Sequence, residues 1–200
     1  MTANEKAIIE LLKKNRGIMR FSEILAAGFD PSYLVSLQEE KLIEKMGRGF
    51  YRLVGSPELS NPDLVTAALK APHGVVCLIS ALAFHEVTSE IPHRVDLAIP
   101  KGARENKIDY PPLEFYHFSE EAWKAGIETH TIDGHRVKVY SLAKTVADCF
   151  KFRNKIGADI ALGALKAAVN EKKIQPKNIM SFAKVCRVAN IIKPYLEMMF

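Results

Sequence analysis

The stretch DPSYLVSLQEEKLIEKMGRGFYRL, residues 30–53, leaves this chain few choices. Asp30 is a good helix N-cap, and Pro31 suits the first helical position, where its missing N–H costs nothing. Leu34, Leu37 and Leu42 fall near helical spacing, so Ser32, Tyr33, Val35, Ser36 and Glu39 turn toward the other faces. The continuation Ile43–Lys45, Gly47-Arg48-Gly49 and Phe50–Leu53 has hairpin chemistry, with two glycines free to take positive φ around one arginine. Two shorter helical segments precede it. One is Thr2 to Lys14, with a capping box between Thr2 and Glu5 and with Ile8, Ile9, Leu11 and Leu12 on its buried side. The other starts near Phe21, with Ser22 as its expected N-cap and Gly28 just past its end. Residues 17–20 are expected to add a strand to the hairpin. Three helices followed by a hairpin is the order of a winged helix-turn-helix, a module that binds DNA more often than it does chemistry.

Two hundred residues with 48% apolar and 26% charged side chains can bury a substantial core and exclude a disordered chain. No run of about 18 apolar residues exists, so no membrane partner is expected. The start is polar-apolar and unlike a signal peptide. Cys77, Cys149 and Cys186 are odd in number and far apart, which predicts free buried thiols, a reducing compartment and a cytoplasmic protein. The net charge of +5 is unevenly spread: +1 over residues 1–60, −5 over 61–133 and +9 over 134–200. A basic last third suits a polyanion-facing surface, and equally suits lysine-rich solvated helix faces.

The first domain is expected to cover residues 1–54, followed by a linker at 55–62 (GSPELSNP) and a larger domain at 63–200. In the larger domain Asp63–Lys70 and Val75–His85 read as helices. Arg94–Pro100, Leu113–Phe118, Ile127–Ile132 and His135–Tyr140 read as strands, the last two joined by Asp133-Gly134, a dipeptide that tight hairpins prefer. Ser141 is expected to cap a helix running to about Arg153, and three more follow: 158–172, 176–188 and 191–199. The fold class is therefore α+β, a winged helix-turn-helix head followed by a larger mixed α/β domain ending in helices.

Catalytic signals fail on their spacing. After His85-Glu86, Thr88 and Ser89 stand where a metalloprotease needs its second histidine, and no two of the six histidines share a helix face at i,i+4. Asp96 and Glu114 have the strand placement of a restriction-type nuclease, yet Tyr116 occupies the lysine position. No glycine-rich phosphate loop occurs. No enzyme, cofactor or metal is expected. The DNA-binding reading assigns Ser32, Tyr33 and Ser36 to base edges, since a recognition helix uses its N-terminal residues and hydroxyls bond either donors or acceptors. Lys45, Arg48 and Arg52 on the hairpin and Arg20 before the second helix are assigned to phosphates or a narrow minor groove. Glu39 and Glu40 would repel phosphates and face elsewhere. A head used for protein contact is the bland alternative. Lys144, Lys151, Arg153 and Lys155 form a candidate second nucleic-acid or partner surface, which Lys172, Lys173, Lys177, Lys184 and Arg187 would extend; solvated helix ends explain them equally well. Asp148 is expected to pair with Lys144 or Lys151, one turn away on either side.

Three segments carry a family resemblance: GRGFYRL, ISALAFHEVTSEIPHRVDLAIPKG (79–102) and YSLAKTVADCFKFRNKIG (140–157). In this order they resemble AbiEi-type antitoxins of the AbiE (type IV) toxin–antitoxin systems. The resemblance implies a winged helix that binds double-stranded operator DNA at inverted repeats, cooperatively or as a dimer, and represses its own phage-defence operon. It also implies a C-terminal domain that counteracts a nucleotidyltransferase toxin, in many members without a stable complex. The recognition helix then falls on Pro31–Lys41 and the wing on Lys45–Arg52, with the C-terminal pattern on Ser80, Ala81, Leu82, Ser141, Thr145 and Asp148. His85-Glu86 departs from the His-Gly often found after Ser-Ala-Leu. The alternative is a stand-alone winged-helix regulator with a sensing or dimerisation domain.

Overall fold

The structure is a computed structural model that describes residues 1–46, 49–105, 107–172 and 174–199. The chain divides into two compact units, Met1–Pro62 and Asp63–Phe200.

The first unit runs α1 (Ala3–Lys14), β1 (Ile18–Arg20), α2 (Phe21–Ala26), α3 (Ser32–Glu39), β2 (Ile43–Lys45) and β3 (Phe50–Leu53). The strands form an antiparallel sheet in the order β1-β3-β2, so β1 closes the far side of the hairpin. The predicted capping box is present: Glu5 N–H donates to Thr2 Oγ1, and Thr2 N–H donates to Glu5. Ile8, Leu12, Ile24, Leu34 and Leu37 are at most 1% exposed and meet in one core with Ile43 and Tyr51. Full burial of such side chains stabilises by ~1.5–3 kcal/mol each, which is what holds three short helices on a three-stranded sheet.

Two helix starts differ from expectation. The residue at the N-cap of α2 is Arg20, not Ser22, and Glu23 folds back to accept the Arg20 N–H at 2.8 Å. A glutamate three residues into the helix therefore closes this end without a capping hydroxyl. Helix α3 begins at Ser32, and the Asp30 carboxylate accepts from both the N–H and the Oγ of Ser32. These bonds lower the Asp30 pKa from the usual carboxylate value.

In the second unit the order is α4 (Pro62–Lys70), β4 (Val75–Val76), α5 (Leu78–Phe84), β5 (Val95–Pro100), β6 (Leu113–Phe118), α6 (Glu120–Lys124), β7 (Ile127–Ile132), β8 (His135–Tyr140) and α7 (Leu142–Lys151). Then come α8 (Arg153–Ile156), α9 (Ala158–Asn170), α10 (Pro176–Val185) and α11 (Ala189–Glu197). The mixed sheet has the order β6-β5-β4-β8-β7. β5 runs parallel to β6 and β4 parallel to β8, whereas β4–β5 and β7–β8 are antiparallel. The predicted helix over Val75–His85 is a correction: Val75 and Val76 form the middle strand, and the helix starts only at Leu78. The predicted Asp133-Gly134 turn is present, with φ +48° and +81° as a tight hairpin requires.

Leu142–Phe150 of α7 are buried without a break, and α5, α9, α10 and α11 all pack on this helix. A helix buried all round is the centre of a unit, not its surface. The three cysteines are free and buried, and desolvation raises the pKa of each thiol.

Candidate nucleic-acid interface

Helix α3 is tied to the first turn of α1 by its polar side chains. Asn4 Nδ2 donates to the Tyr33 hydroxyl at 2.8 Å. The Glu5 carboxylate is 4% exposed; the Thr2 N–H, foremost, and the neighbouring Ser36 side chain hold its pKa below the usual value. Ser32 donates its hydroxyl hydrogen to Asp30 at 2.6 Å. Of the three hydroxyls assigned to base reading, those of Ser32 and Tyr33 are thus hydrogen-bonded within the head, and Ser36 lies beside Glu5. Ser32 remains exposed, and Tyr33 and Ser36 are half-buried. The outward side of α3 is made by Ser32, Val35 and Glu39, with Val35 55% exposed.

On the hairpin, Lys45 is exposed and pairs in register with Tyr51. Arg52 is turned inward: its Nη2 donates to the carbonyls of Ser56 and Pro57, and Nη1 lies 3.5 Å from Glu44. Those contacts make Arg52 a brace for the chain leaving β3. The guanidinium of Arg20 stands 5.3 Å from the Phe50 ring centroid, a cation–π distance. Arg48, with Gly47, lies outside the described residues.

The second set of basic residues separates into two groups. Lys144 is completely buried, so its place in a basic surface is a correction. Its Nζ lies 2.7 and 2.6 Å from the two Asp148 oxygens and 4.0 Å from the Tyr140 ring centroid. A lysine on a helix with apolar neighbours on every side is held inside by that pairing. Lys151 and Lys155 instead stand over the rings of buried or half-buried aromatic side chains, with Arg153 next to them in sequence. Lys151 Nζ is 5.5 Å from the Phe118 ring and 5.9 Å from the Phe152 ring; Lys155 Nζ is 5.5 Å from the Tyr116 ring. Arg153 Nη1 donates to the Phe150 carbonyl at 2.8 Å. Lys172 is paired with Glu86, and Lys173 lies outside the described residues.

The residues of the C-terminal family pattern serve as ties. Ser80 Oγ donates to the Arg94 carbonyl and accepts the Asp96 N–H, locking α5 to β5. Ser141 caps α7, and Thr145 Oγ1 donates to the Tyr140 carbonyl. His85 Nε2 donates to that same carbonyl at 2.7 Å.

Asp96 and Glu114 sit opposite each other in the parallel β5–β6 register, and Arg94 reaches both at 3.5 Å. Burial raises the Asp96 pKa to about 6, against the opposing pull of Arg94 and the backbone N–H groups of Ser80 and Ile79. Arg94 and Asp96 line a hollow of about 520 Å³ together with Ile79, Ser89, Glu90 and Ile91. Spacing did not reveal this cluster beyond the two carboxylates. Among the described residues, no three His, Cys, Asp or Glu side chains are placed to hold a metal ion, and no helix is long and apolar enough to cross a membrane.

The protein of known structure RV2827C from Mycobacterium tuberculosis shares this fold, with a TM-score of 0.61 at 11% identity over 98% of this chain and 82% of that one. No curated protein matches the sequence. Residues 6–54, from within α1 through the hairpin, match the family model described as "Transcriptional regulator, AbiEi antitoxin".

Proposed function

We propose that this chain is a cytoplasmic antitoxin that binds and represses the promoter of its own phage-defence operon and counteracts a nucleotidyltransferase toxin. The family match over residues 6–54 carries the reading, because it takes in most of α1, all of α2 and α3, and the three strands of the head. In this reading Ser32 and the outward side of α3 enter a major groove, while Lys45, Arg20 and Arg48 contact phosphates or the minor groove. Tyr33, Ser36 and Arg52, assigned to DNA by their place in the sequence, act in this reading by holding α3 and the hairpin in position. Inverted repeats would seat two copies, as a dimer or cooperatively. Lys151, Arg153 and Lys155 supply a second basic surface toward DNA or the toxin.

A stand-alone regulator with a sensing domain is favoured by one observation, the hollow at Arg94 and Asp96. Two experiments separate the readings. Binding of the full chain to DNA upstream of its gene is measured across salt concentrations; log affinity should fall linearly with log salt as counterions are released. Co-expression with the adjacent gene then tests the antitoxin role. Rescue from toxicity by the full chain supports it, and unrelieved toxicity, or a harmless neighbour, favours the regulator.

A further inference from the structure

We propose that Val35 reads the C5-methyl group of a thymine in the major groove. The assignment rests on the DNA-binding reading above and names what the exposed side of α3 recognises.

Among the described residues of α3, Val35 is the one large apolar side chain classed as exposed, at 55%. Single exposed apolar residues are common on protein surfaces and need no purpose by themselves. Three further observations single this one out. A β-branched residue is a poor choice for a solvent-facing helix position, where alanine or a straight-chain polar residue favours the helix more. Local rules that fail without a packing reason point to function. Second, the neighbouring hydroxyls are occupied: Tyr33 accepts from Asn4, Ser32 donates to Asp30, and Ser36 lies beside the Glu5 carboxylate and lowers its pKa. Of the two side chains facing outward in the first half of α3, Ser32 and Val35, the second is apolar, so what it can recognise is an apolar group. Third, Glu39 lies one helical turn beyond Val35 and is exposed. Its charge keeps the second half of α3 away from phosphates, so the helix must approach DNA by the end that carries Val35. On the floor of the major groove the apolar feature is the thymine methyl, which distinguishes A·T from the other pairs.

The test uses the full chain and the DNA upstream of its gene. The protected region is footprinted, and each thymine within it is replaced in turn by deoxyuridine, which deletes only the methyl group. Wild-type protein should lose about fourfold in affinity at one thymine of each half-site, the worth of one buried methyl group. Val35→Ala, an exposed substitution whose folding is checked by thermal unfolding, should bind thymine and deoxyuridine versions equally while keeping the wild-type salt dependence. Indifference of the wild type to every replacement overturns the assignment, as does a deoxyuridine penalty that persists in Val35→Ala. Either result with salt-dependent binding intact leaves the DNA-binding reading standing. Absence of binding at low salt removes that reading and this assignment together.

Discussion

Lys144 and Asp148 lie one turn apart on α7, completely buried, with the ammonium 2.6–2.7 Å from both carboxylate oxygens and Cys186 Sγ 3.2 Å from Oδ1. Burial pushes the Asp148 carboxyl up from its usual range, and Lys144 opposes that push. Removing one partner strands a charge in the core. Lys144→Met or Asp148→Leu alone should therefore cost about 3–5 kcal/mol, while the double variant should recover to within ~1 kcal/mol of wild type or exceed it. Urea unfolding of the three variants checks this; simple addition of the two losses would sink the claim.

The Asp96 carboxyl titrates at about 6 in the folded chain, against an ordinary value of 3.8. The folded state therefore holds this proton more tightly than the unfolded state does. The stability contributed is fully present below about pH 3.8 and is lost as pH rises through about 6. Asp96→Asn should stabilise the protein above that window by roughly 1–3 kcal/mol and make little difference near pH 4. Thermal unfolding between pH 4 and 8 measures the gap; a gap that widens toward low pH contradicts the assignment.

Gly126 has φ +72°, and a Cβ there would stand 2.7 Å from Lys144 Cβ and 3.0 Å from Phe182 Cε1. Gly126→Ala should destabilise by about 2–4 kcal/mol, combining left-handed backbone with overpacking. Gly102 has φ +86° but open space around its Cβ position. Gly102→Ala should cost only ~1–2 kcal/mol. Equal losses in denaturant titrations would mean that the packing around Gly126 yields.

Lys45 and Arg52 should separate cleanly if the head binds DNA. Lys45→Ala, at an exposed site, should weaken binding across all sequences and reduce the salt slope by about one, with the melting temperature unchanged. Arg52→Ala breaks the hold on the Ser56 and Pro57 carbonyls and should lower the stability of the head. Anisotropy titrations beside thermal melts distinguish the two; a destabilised Lys45→Ala would remove its phosphate role.

Much of the architecture was legible because it rests on local chemistry. The Thr2–Glu5 box, the strand at 18–20 and the Asp133-Gly134 hairpin depend on neighbours within a few residues, where spacing is informative. β4 was hidden because Val75–His85 is apolar throughout, and period alone cannot separate a buried strand from a buried helix. The α2 cap was missed because a glutamate side chain does the work expected of a hydroxyl. Burial of Lys144 had a readable signal, an opposite charge at i+4 inside an otherwise apolar helix. The engagement of Tyr33 and Ser36 had none, since Asn4 and Glu5 lie a full helix and strand earlier in the chain. Arg94 was likewise seen only once β5 and β6 were placed in register.

The hydrogen bond from Asn4 to Tyr33 and the placing of Ser36 beside Glu5 also bear on how genetics would see this protein. If the head binds an operator as proposed, a screen for operator-blind mutants should return substitutions at Asn4 and Glu5, in a different helix, beside those in α3 itself. Loss of operator recognition in an alanine scan at Tyr33 or Ser36 would then report a helix that has lost its moorings, and only Val35 and Ser32 would report on the letters being read.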